Sequence, residues 1–439
     1  MKKWKEFSKH TRTGIGAYGI ILVAFAVLYP LQQTGMLSHQ LEGQLIPICV
    51  YIVMALSLNL TVGFLGELSL GHAGFMSVGA FAGAVTGTAL KDTVTSDALL
   101  LLISIIVGGF FAAVAGLLIG IPVLRLRGDY LAIVTLAFGE IIKNFINLLY
   151  VGKDANGLHF AMFSSDSMSL QNGSYILNGA QGAIGIPKIA TFFSGVLLIV
   201  FTLFIILNLV YSKTGRAITA IRDNRIAAEA VGIGVTRYKL TAFIISAGLA
   251  GMAGALYALN FSTLASRKFD FNTSILILVF VVLGGMGNLV GTIISTSVLY
   301  LLPELLREFA DYRMLIYAIV LILVMLITHS EGGKRLRGMV IRFFRRLFGR
   351  EKQLPPDDPI SPTPLTGEKQ NEMKTVDDSM TVTQEGGAGK RTRRRNRTNL
   401  WKTNRIAWSR CPLILLCHNA MWINLPSWKH TISVSISGD

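Results

Sequence analysis

The chain has 439 residues, of which 52% are hydrophobic and only 15% are charged, and its mean hydropathy is +0.54. A soluble domain carries about 25% charged residues, so this composition excludes an ordinary soluble protein. The formal net charge is +16, but residues 331–439 hold 20 of the 41 Lys and Arg residues. A basic tail beside membrane spans faces the cytoplasm and anionic lipid more often than it binds nucleic acid.

Long apolar runs follow one another through residues 1–330, which we predict to be a transmembrane domain. A spanning helix needs roughly 20 mainly apolar residues. Such runs occur near 14–31, 45–64, 73–90, 98–124, 129–150, 189–212, 237–260, 272–303 and 312–328. The first run follows several lysines without a small-residue cleavage site, so we interpret it as an uncleaved helix with a cytoplasmic N-terminus. The predicted fold is all-α, a polytopic transmembrane helix bundle.

Charge placement then fixes the number of crossings. Starting from a cytoplasmic N-terminus, the basic links 125–127 and 213–239 fall inside and the charge-poor loop 151–188 falls outside. One crossing per run would, however, place the basic stretch 334–350 outside, against the positive-inside rule. The parity is restored if the run 272–303 makes two passes, which gives about ten helical elements and two cytoplasmic termini.

A glycine cluster supports a break within that run. Gly284, Gly285, Gly287 and Asn288 interrupt its apolar sequence and weaken a helix. We predict a broken or re-entrant segment here; a single kinked helix is the alternative. Because non-helical backbone at membrane depth is tolerated where it lines a cavity, these four residues are candidates for the substrate path.

Two C-terminal segments differ from the bundle. Residues 331–350 alternate apolar and basic side chains, which is typical of an amphipathic helix on the inner membrane surface. Residues 351–439 begin with a proline-rich polar stretch and show little periodicity, so we predict a disordered or atypical extension. The three cysteines have no partnering pattern, so we expect neither a disulfide framework nor a metal site.

Polar residues between the second and third runs are further candidates for the substrate path. Glu67, Ser69 and His72 lie in a glycine-rich stretch, and ionisable groups near membrane depth are costly unless they face a cavity or a partner. The competing interpretation is a hydrated turn at the inner face of the membrane.

The fifth run carries a polar helical face. Glu140, Lys143, Asn144 and Asn147 recur at spacings of three and four residues, which places them on one side of a helix. Glu140 and Asn144 are therefore candidates for the substrate path. A structural ion pair near the outer interface, in which Lys143 reaches water, explains the same pattern.

The link 213–239 is too charged to span a membrane and too regular to be a slack loop. Isoleucines, Ala230 and Val231 form an apolar side, whereas Arg216, Arg222 and Glu229 form a polar one. The pattern predicts a short cytoplasmic amphipathic helix that either docks in a groove of a partner or only anchors the bundle.

Four segments together resemble one family of permeases. Residues 227–232, Ala-Ala-Glu-Ala-Val-Gly, resemble the loop by which permeases of ATP-binding-cassette importers contact their ATPase, with Val231 in place of the usual second alanine. Residues 66–75, 126–136 and 284–288 resemble the same subfamily, the M-type permease subunits of branched-chain amino acid importers. The resemblance covers roughly 45–330 and ends before the tail.

The resemblance implies a set of roles and partners. Arg216, Arg222, Ala228, Glu229, Ala230 and Gly232 would form the ATPase-coupling site. The partners would be cytoplasmic ATPase subunits, a homologous second permease, an extracytoplasmic substrate-binding protein and membrane lipid. The chain would import leucine, isoleucine or valine across the bacterial inner membrane, as a non-enzymatic subunit without a cofactor.

Two other functions fit the residues. The same scaffold resembles importers of urea or short amides, and an ion-coupled secondary transporter would use Glu140 as its coupling group. The chain has no phosphate-binding loop, no dinucleotide fingerprint and no nucleophile elbow, so an ATP-driven mechanism requires a separate ATPase.

Deleting residues 352–439 should leave transport intact, because the family resemblance ends before them. Uptake by membranes that carry the truncated chain, normalised to the amount of protein, tests this prediction. A truncated chain that is inserted normally but inactive would contradict it.

Overall fold

A computed structural model describes residues 9–35, 38–126, 128–154, 157–162 and 174–306, with 318, 319 and 322. These residues belong to the unit Met1–Arg350. Apart from residues 318, 319 and 322, the predicted run 312–328 lies outside the described residues. So do the amphipathic segment 331–350 and the extension 351–439, which stay predictions.

The described chain is mainly helical. Its α-helices are α1 (Lys9–Gln33), α2 (His39–Asn59), α3 (His72–Leu90), α4 (Asp97–Val123), α5 (Asp129–Asn147), α6 (Phe192–Tyr211), α7 (Lys213–Asp223), α8 (Arg225–Ala230), α9 (Val235–Ala258), α10 (Phe271–Gly284) and α11 (Leu289–Leu305). Seven of them, α1 to α6 and α9, are long and apolar enough to cross a membrane. The predicted polytopic helix bundle is confirmed.

The run 272–303 forms two helices, as the glycine cluster predicted. Gly285 and Gly287 adopt φ angles of +92° and +79°, which L side chains rarely accept, and the chain reverses between α10 and α11. The Ser295 hydroxyl donates to the Phe280 carbonyl across the pair. At 14 and 17 residues, the helices are about 21 and 26 Å long, shorter than a bilayer core of about 30 Å. The segment is a re-entrant hairpin.

A small antiparallel sheet lies at one end of the bundle. Its strands are β1 (Leu149–Asp154), β2 (Gly157–Met162), β3 (Ser174–Asn178), β4 (Ala183–Ile184) and β5 (Thr263–Leu264), in the order β2-β1-β3-β4-β5. The sequence analysis predicted only a loop at 151–188. We call this side of the bundle the sheet end, and the opposite side, where α7 and α8 lie, the α7 end.

Lys153 of β1 fastens the sheet to the helices. Its ammonium donates to the Ala89 carbonyl at the end of α3 (2.9 Å) and to the Asp92 carboxylate (2.6 Å). This hydrogen bond and the charge of Lys153 lower the pKa of the Asp92 carboxyl. Asp92 is exposed, so the ion pair orients the two elements and adds little stability.

The helix α2 is the central element of the bundle. It continues as a π-helical turn over Leu60–Leu65, and every residue from 52 to 63 is buried. By contrast, α4 exposes a row of large apolar side chains that include Leu102, Phe110 and Leu118. In a helix of a membrane protein, such a row faces lipid.

Three helices approach one another closely at small residues. A side chain on Gly79 of α3 would overlap the backbone of Gly251 in α9. One on Gly108 of α4 would lie 2.7 Å from the Gly79 carbonyl oxygen, and one on Gly116 would lie 2.6 Å from Ala247. Small residues at helix crossings let the backbones of membrane helices come into van der Waals contact.

Replacing Gly251 by valine should therefore separate α9 from α3 and α4. Overpacking of this kind costs about 1–3 kcal/mol or more, and we expect the apparent Tm of the purified protein in detergent to fall by several degrees. The control is Gly43→Ala, because nothing lies within 4 Å of a side chain at that helical position. Equal Tm values for the two variants would contradict the proposed packing.

Candidate functional site

The helices α7 and α8 form a compact unit at one end of the bundle. Ser212 caps α7 by accepting from the Gly215 amide (3.2 Å), and Asn224 ends α7 and caps α8 by accepting from the Ala227 amide (3.1 Å). The glycine after α8, Gly232, turns the chain at φ +83° towards α9. The predicted amphipathic helix is thus two short helices that precede α9, each with its own cap.

The apolar residues of this unit point in two directions. Ile218 packs with Leu65 and Ala242, and Ile221 packs with Ala228 and Val235, so these side chains attach the unit to the bundle. Two others, which the sequence pattern had placed on the same apolar side, face outward: Ile226 is 79% exposed and Val231 is 75% exposed. Exposed apolar side chains on a capped, anchored unit are typical of a docking surface.

Charged residues surround the two exposed apolar side chains. The Glu229 carboxylate accepts from Arg225 Nε (2.9 Å) one turn earlier in α8. Arg216, Glu229, Ala230 and Gly232 of the predicted coupling site are exposed, whereas Ala228 is buried against the bundle. The structure therefore brings the predicted residues together on one unit, and their role in coupling stays a prediction.

Arg222 connects this unit to the central helix. Its Nη1 donates to the Gly63 carbonyl oxygen (3.0 Å) in the π-helical turn that ends α2, and its guanidinium also pairs with Asp223 (3.1 Å). A π-helical turn leaves backbone groups outside the regular hydrogen-bond pattern and often occurs at functional sites. Here Arg222 donates to one carbonyl group of the turn, that of Gly63.

A buried asparagine connects the same turn to the re-entrant hairpin. The Asn59 side chain accepts from the Gly287 amide at the hairpin tip (2.8 Å) and donates to the Thr292 hydroxyl of α11 (2.9 Å). Gly63 lies directly beside this contact, and a side chain there would overlap both Asn59 and Gly287. The tip of the hairpin, α2 and α7 thus form one hydrogen-bonded cluster, which we call the Asn59 bracket (Asn59, Gly63, Arg222, Gly287 and Thr292).

The structure places the predicted substrate-path residues in separate positions. The tip residues Gly284, Gly285, Gly287 and Asn288 lie at the Asn59 bracket. Glu67 forms an ion pair with the buried Lys239 of α9, at the same end. A half-buried carboxylate that is paired with a buried lysine is a structural contact as readily as a transport group.

His72 lies deeper, at the start of α3, and is fully enclosed. Its Nε2 lies 2.8 Å from the Ser57 hydroxyl, whose single hydrogen is donated to the Met54 carbonyl (2.8 Å). In that arrangement His72 Nε2 is the donor. Ser246 of α9 donates to the Ser57 carbonyl (2.6 Å), so Ser57 of α2 is hydrogen-bonded to both α3, through His72, and α9. The Ser69 hydroxyl is buried and has no hydrogen-bond partner among the described residues.

The polar face of α5 is divided in the same way. Glu140 and Lys143 form an ion pair, and Asn147 accepts from the Ser266 hydroxyl. Asn144 is exposed. Glu140 also borders a narrow gap that is lined by Gly71, Gly74 and Asp270, too small for an amino acid. The role of Glu140 and Asn144 in the substrate path stays a prediction.

A cavity much larger than this gap lies elsewhere. It measures about 360 Å³ and is lined by Tyr51, Met76, Tyr257, Arg267, Lys268, Phe269, Asp270 and Thr273. None of these residues was predicted as a site residue. The sequence did carry a signal for this site, because three charged residues, Arg267, Lys268 and Asp270, lie within four positions between two long apolar runs.

Comparison with known proteins decides the family. The family described as "Branched-chain amino acid transport system / permease component" matches residues 41–327, which span the helices α2 to α11. The chain belongs to this family. It is therefore a multi-pass membrane permease, and the resemblance inferred from the motifs at 66–75, 126–136, 227–232 and 284–288 is confirmed.

Individual relatives agree with this assignment. The permease is 37% identical over 291 residues to the high-affinity branched-chain amino acid transport system permease protein LivM of Salmonella typhimurium, and 36% identical to LivM of Escherichia coli K12. Each alignment covers 63% of the permease and 66% of the relative. The fructose import permease protein FruG of Bifidobacterium longum is 26% identical, with 62% and 86% of the two chains covered. No solved structure gives a significant match.

The Asn59 bracket should contribute measurably to stability. Asn59→Leu leaves the half-buried Gly287 amide without its acceptor, which costs about 1–3 kcal/mol, so the apparent Tm should fall clearly. Thr292→Val removes the other partner, and the double variant should be less destabilised than the sum of the two single variants. Thermal unfolding of the three purified variants measures this coupling. Strict additivity would show that the two side chains act independently.

Proposed function

We propose that the chain is the membrane subunit of an ATP-driven importer that carries branched-chain amino acids into the cytoplasm. The observation that supports this most strongly is the exposed surface of α8, where Ile226 and Val231 project beside the Arg225–Glu229 pair. The name of the LivM relatives, which are 36–37% identical, supplies the substrate class.

In this proposal α7 and α8 receive the force of ATP binding from a separate ATPase subunit. Hydrophobic knobs within a charged rim suit a groove on a partner protein. The α7 end is then cytoplasmic and the sheet end faces outward. Gly14, near the start of α1, lies close to Leu207 at the end of α6, so in this proposal that end of α1 would also be cytoplasmic.

The Asn59 bracket provides a route from the ATPase surface to the membrane interior. Arg222 links α7 to the end of α2, and Asn59 links α2 to the hairpin tip. In this proposal, a displacement of α7 moves the end of α2, and the tip of the re-entrant hairpin moves with it as a unit. Rigid elements with two discrete arrangements are the usual means of switching access from one side of a membrane to the other.

The remaining partners follow from this arrangement. A single chain with one α7–α8 unit contacts one ATPase, so a pair of ATPases requires a second, homologous permease that completes the path. A substrate-binding protein would deliver the amino acid to the sheet end. Both chain termini would be cytoplasmic, and the chain itself would carry out no bond-making step.

Uptake of radiolabelled leucine by vesicles that contain this chain and its genomic neighbours tests the proposal. We expect uptake to require ATP, and Glu229→Arg to lower it at least about tenfold, as loss of an interface contact of about 1.4 kcal/mol would. The substitution sets two arginines one turn apart in α8 and reverses the charge of the surface.

The control is Glu42→Arg, the same charge reversal at an exposed position near the start of α2, towards the other end of the bundle. It should leave uptake unchanged. ATP-dependent uptake of urea instead of leucine would change the proposed substrate. Uptake that follows an ion gradient and ignores ATP would overturn the proposal in favour of a secondary transporter.

A further inference from the structure

The cavity of about 360 Å³ lies apart from the helices α7 and α8. It opens between α2, α3, α9 and the segment 265–273 that joins β5 to α10. Tyr257 stands one residue before the end of α9, and the strand β5 follows a few residues later, so the cavity belongs to the sheet-end half of the bundle. Its volume suits a small-molecule ligand.

One wall of the cavity is non-helical backbone that is firmly held. Ser266–Phe269 form a single 3₁₀ turn, with Ser266 bonded to Asn147 of α5 and the Lys268 carbonyl accepting from the Thr273 hydroxyl (2.8 Å). Phe269 packs between the rings of Phe81 and Tyr257. Irregular backbone within a membrane protein persists where it is buried in protein or lines a cavity, and here it does both.

This wall carries charges of both signs that form no ion pair within the described part of the chain. Arg267 and Lys268 are exposed, and Lys268 Nζ lies 4.7 Å from the Phe261 ring centroid. Asp270 caps α10 through Oδ1, which accepts from the Thr273 amide (2.9 Å) and lies 3.1 Å from the Thr273 hydroxyl, and its Oδ2 accepts from Asn272 (3.1 Å). A carboxylate has about four acceptor positions, so Asp270 retains capacity for a further donor.

The opposite wall is aromatic and apolar. Tyr51, Met76 and Tyr257 line it, and the Tyr51 ring lies against the Tyr300 ring with 4.7 Å between centroids and an interplanar angle of 32°. The cavity thus combines an anionic acceptor, two cationic donors and an apolar surface within one small volume.

We propose that this cavity is a binding site for a free α-amino acid, in which Asp270 receives the ammonium group and Arg267 and Lys268 receive the carboxylate. Tyr51, Met76 and Tyr257 contact the aliphatic side chain. The assignment rests on the proposed import of branched-chain amino acids and names the place where the permease itself recognises them. A neutral sugar or amide would leave both sets of charges unused.

Competition binding to the assembled permease in nanodiscs, without a substrate-binding protein, tests each contact separately. Radiolabelled leucine is displaced by leucine, by isocaproate, which lacks the ammonium group, and by leucinamide, which lacks the carboxylate. For the wild-type protein, both analogues should compete at least about tenfold more weakly than leucine, because each leaves a charged group without a partner.

The variants should remove these preferences one at a time. Asp270→Asn keeps a side chain that caps helices well but removes the charge, so the discrimination against isocaproate should be lost and that against leucinamide kept. The double variant Arg267→Gln and Lys268→Gln should show the reverse pattern. Loss of folding alone would weaken all three ligands together, and Asp270→Ser, which also caps, provides a second test. The control Glu42→Gln should bind as the wild-type protein does.

The outcomes separate this site from the proposed function. ATP-dependent leucine uptake by the wild-type protein, combined with variants that keep both preferences, overturns the site alone. The predicted exchange of preferences in a protein without ATP-dependent uptake supports the site and overturns the importer. Displacement of leucine by fructose or arabinose at equal concentration, or no leucine binding at all, also overturns the site.

Discussion

The close approach of α3, α4 and α9 is the contact on which the rest of the bundle depends. Lipid is as apolar as the side chains of these helices, so burial of apolar surface does not drive them together as it would in water. Gly79, Gly108 and Gly251 instead bring three backbones into contact, where dispersion attraction is greatest. This compact trio positions His72 against α2 and leaves the apolar side chains of α4 for lipid.

The functional elements are attached to this trio through polar contacts rather than through further apolar packing. Asn59 joins the hairpin tip to α2, and Arg222 joins α2 to the exposed unit α7–α8. Lys239 and Glu67 brace the same region. In a low-dielectric interior such bonds are directional and costly to leave unmade. They therefore suit elements that move together between two arrangements.

The two proposed sites lie at opposite ends of one continuous element. The hairpin begins at Asp270, beside the cavity of about 360 Å³, and its tip reaches the Asn59 bracket. An amino acid that contacts Asp270 and an ATPase that displaces α7 therefore act on the same pair of helices. Binding at either end stabilises the arrangement that it contacts best, which is the physical requirement for coupling transport to ATP.

The sequence by itself determined the membrane class, the positions of the spanning helices, the break at 284–288 and the family, because apolar length, glycine content and local motifs are properties of neighbouring residues. Only the tertiary structure decided which residues of 213–239 face outward, since Ile221 packs against Ala228 and Val235 whereas Ile226 is exposed. It also supplied the sheet at 149–184 and the Asn59 bracket. Those contacts join residues as far as 233 positions apart, and no local periodicity encodes such pairs. The charged cavity belongs to the same class, because its walls come from four separate segments that meet only when the bundle is packed.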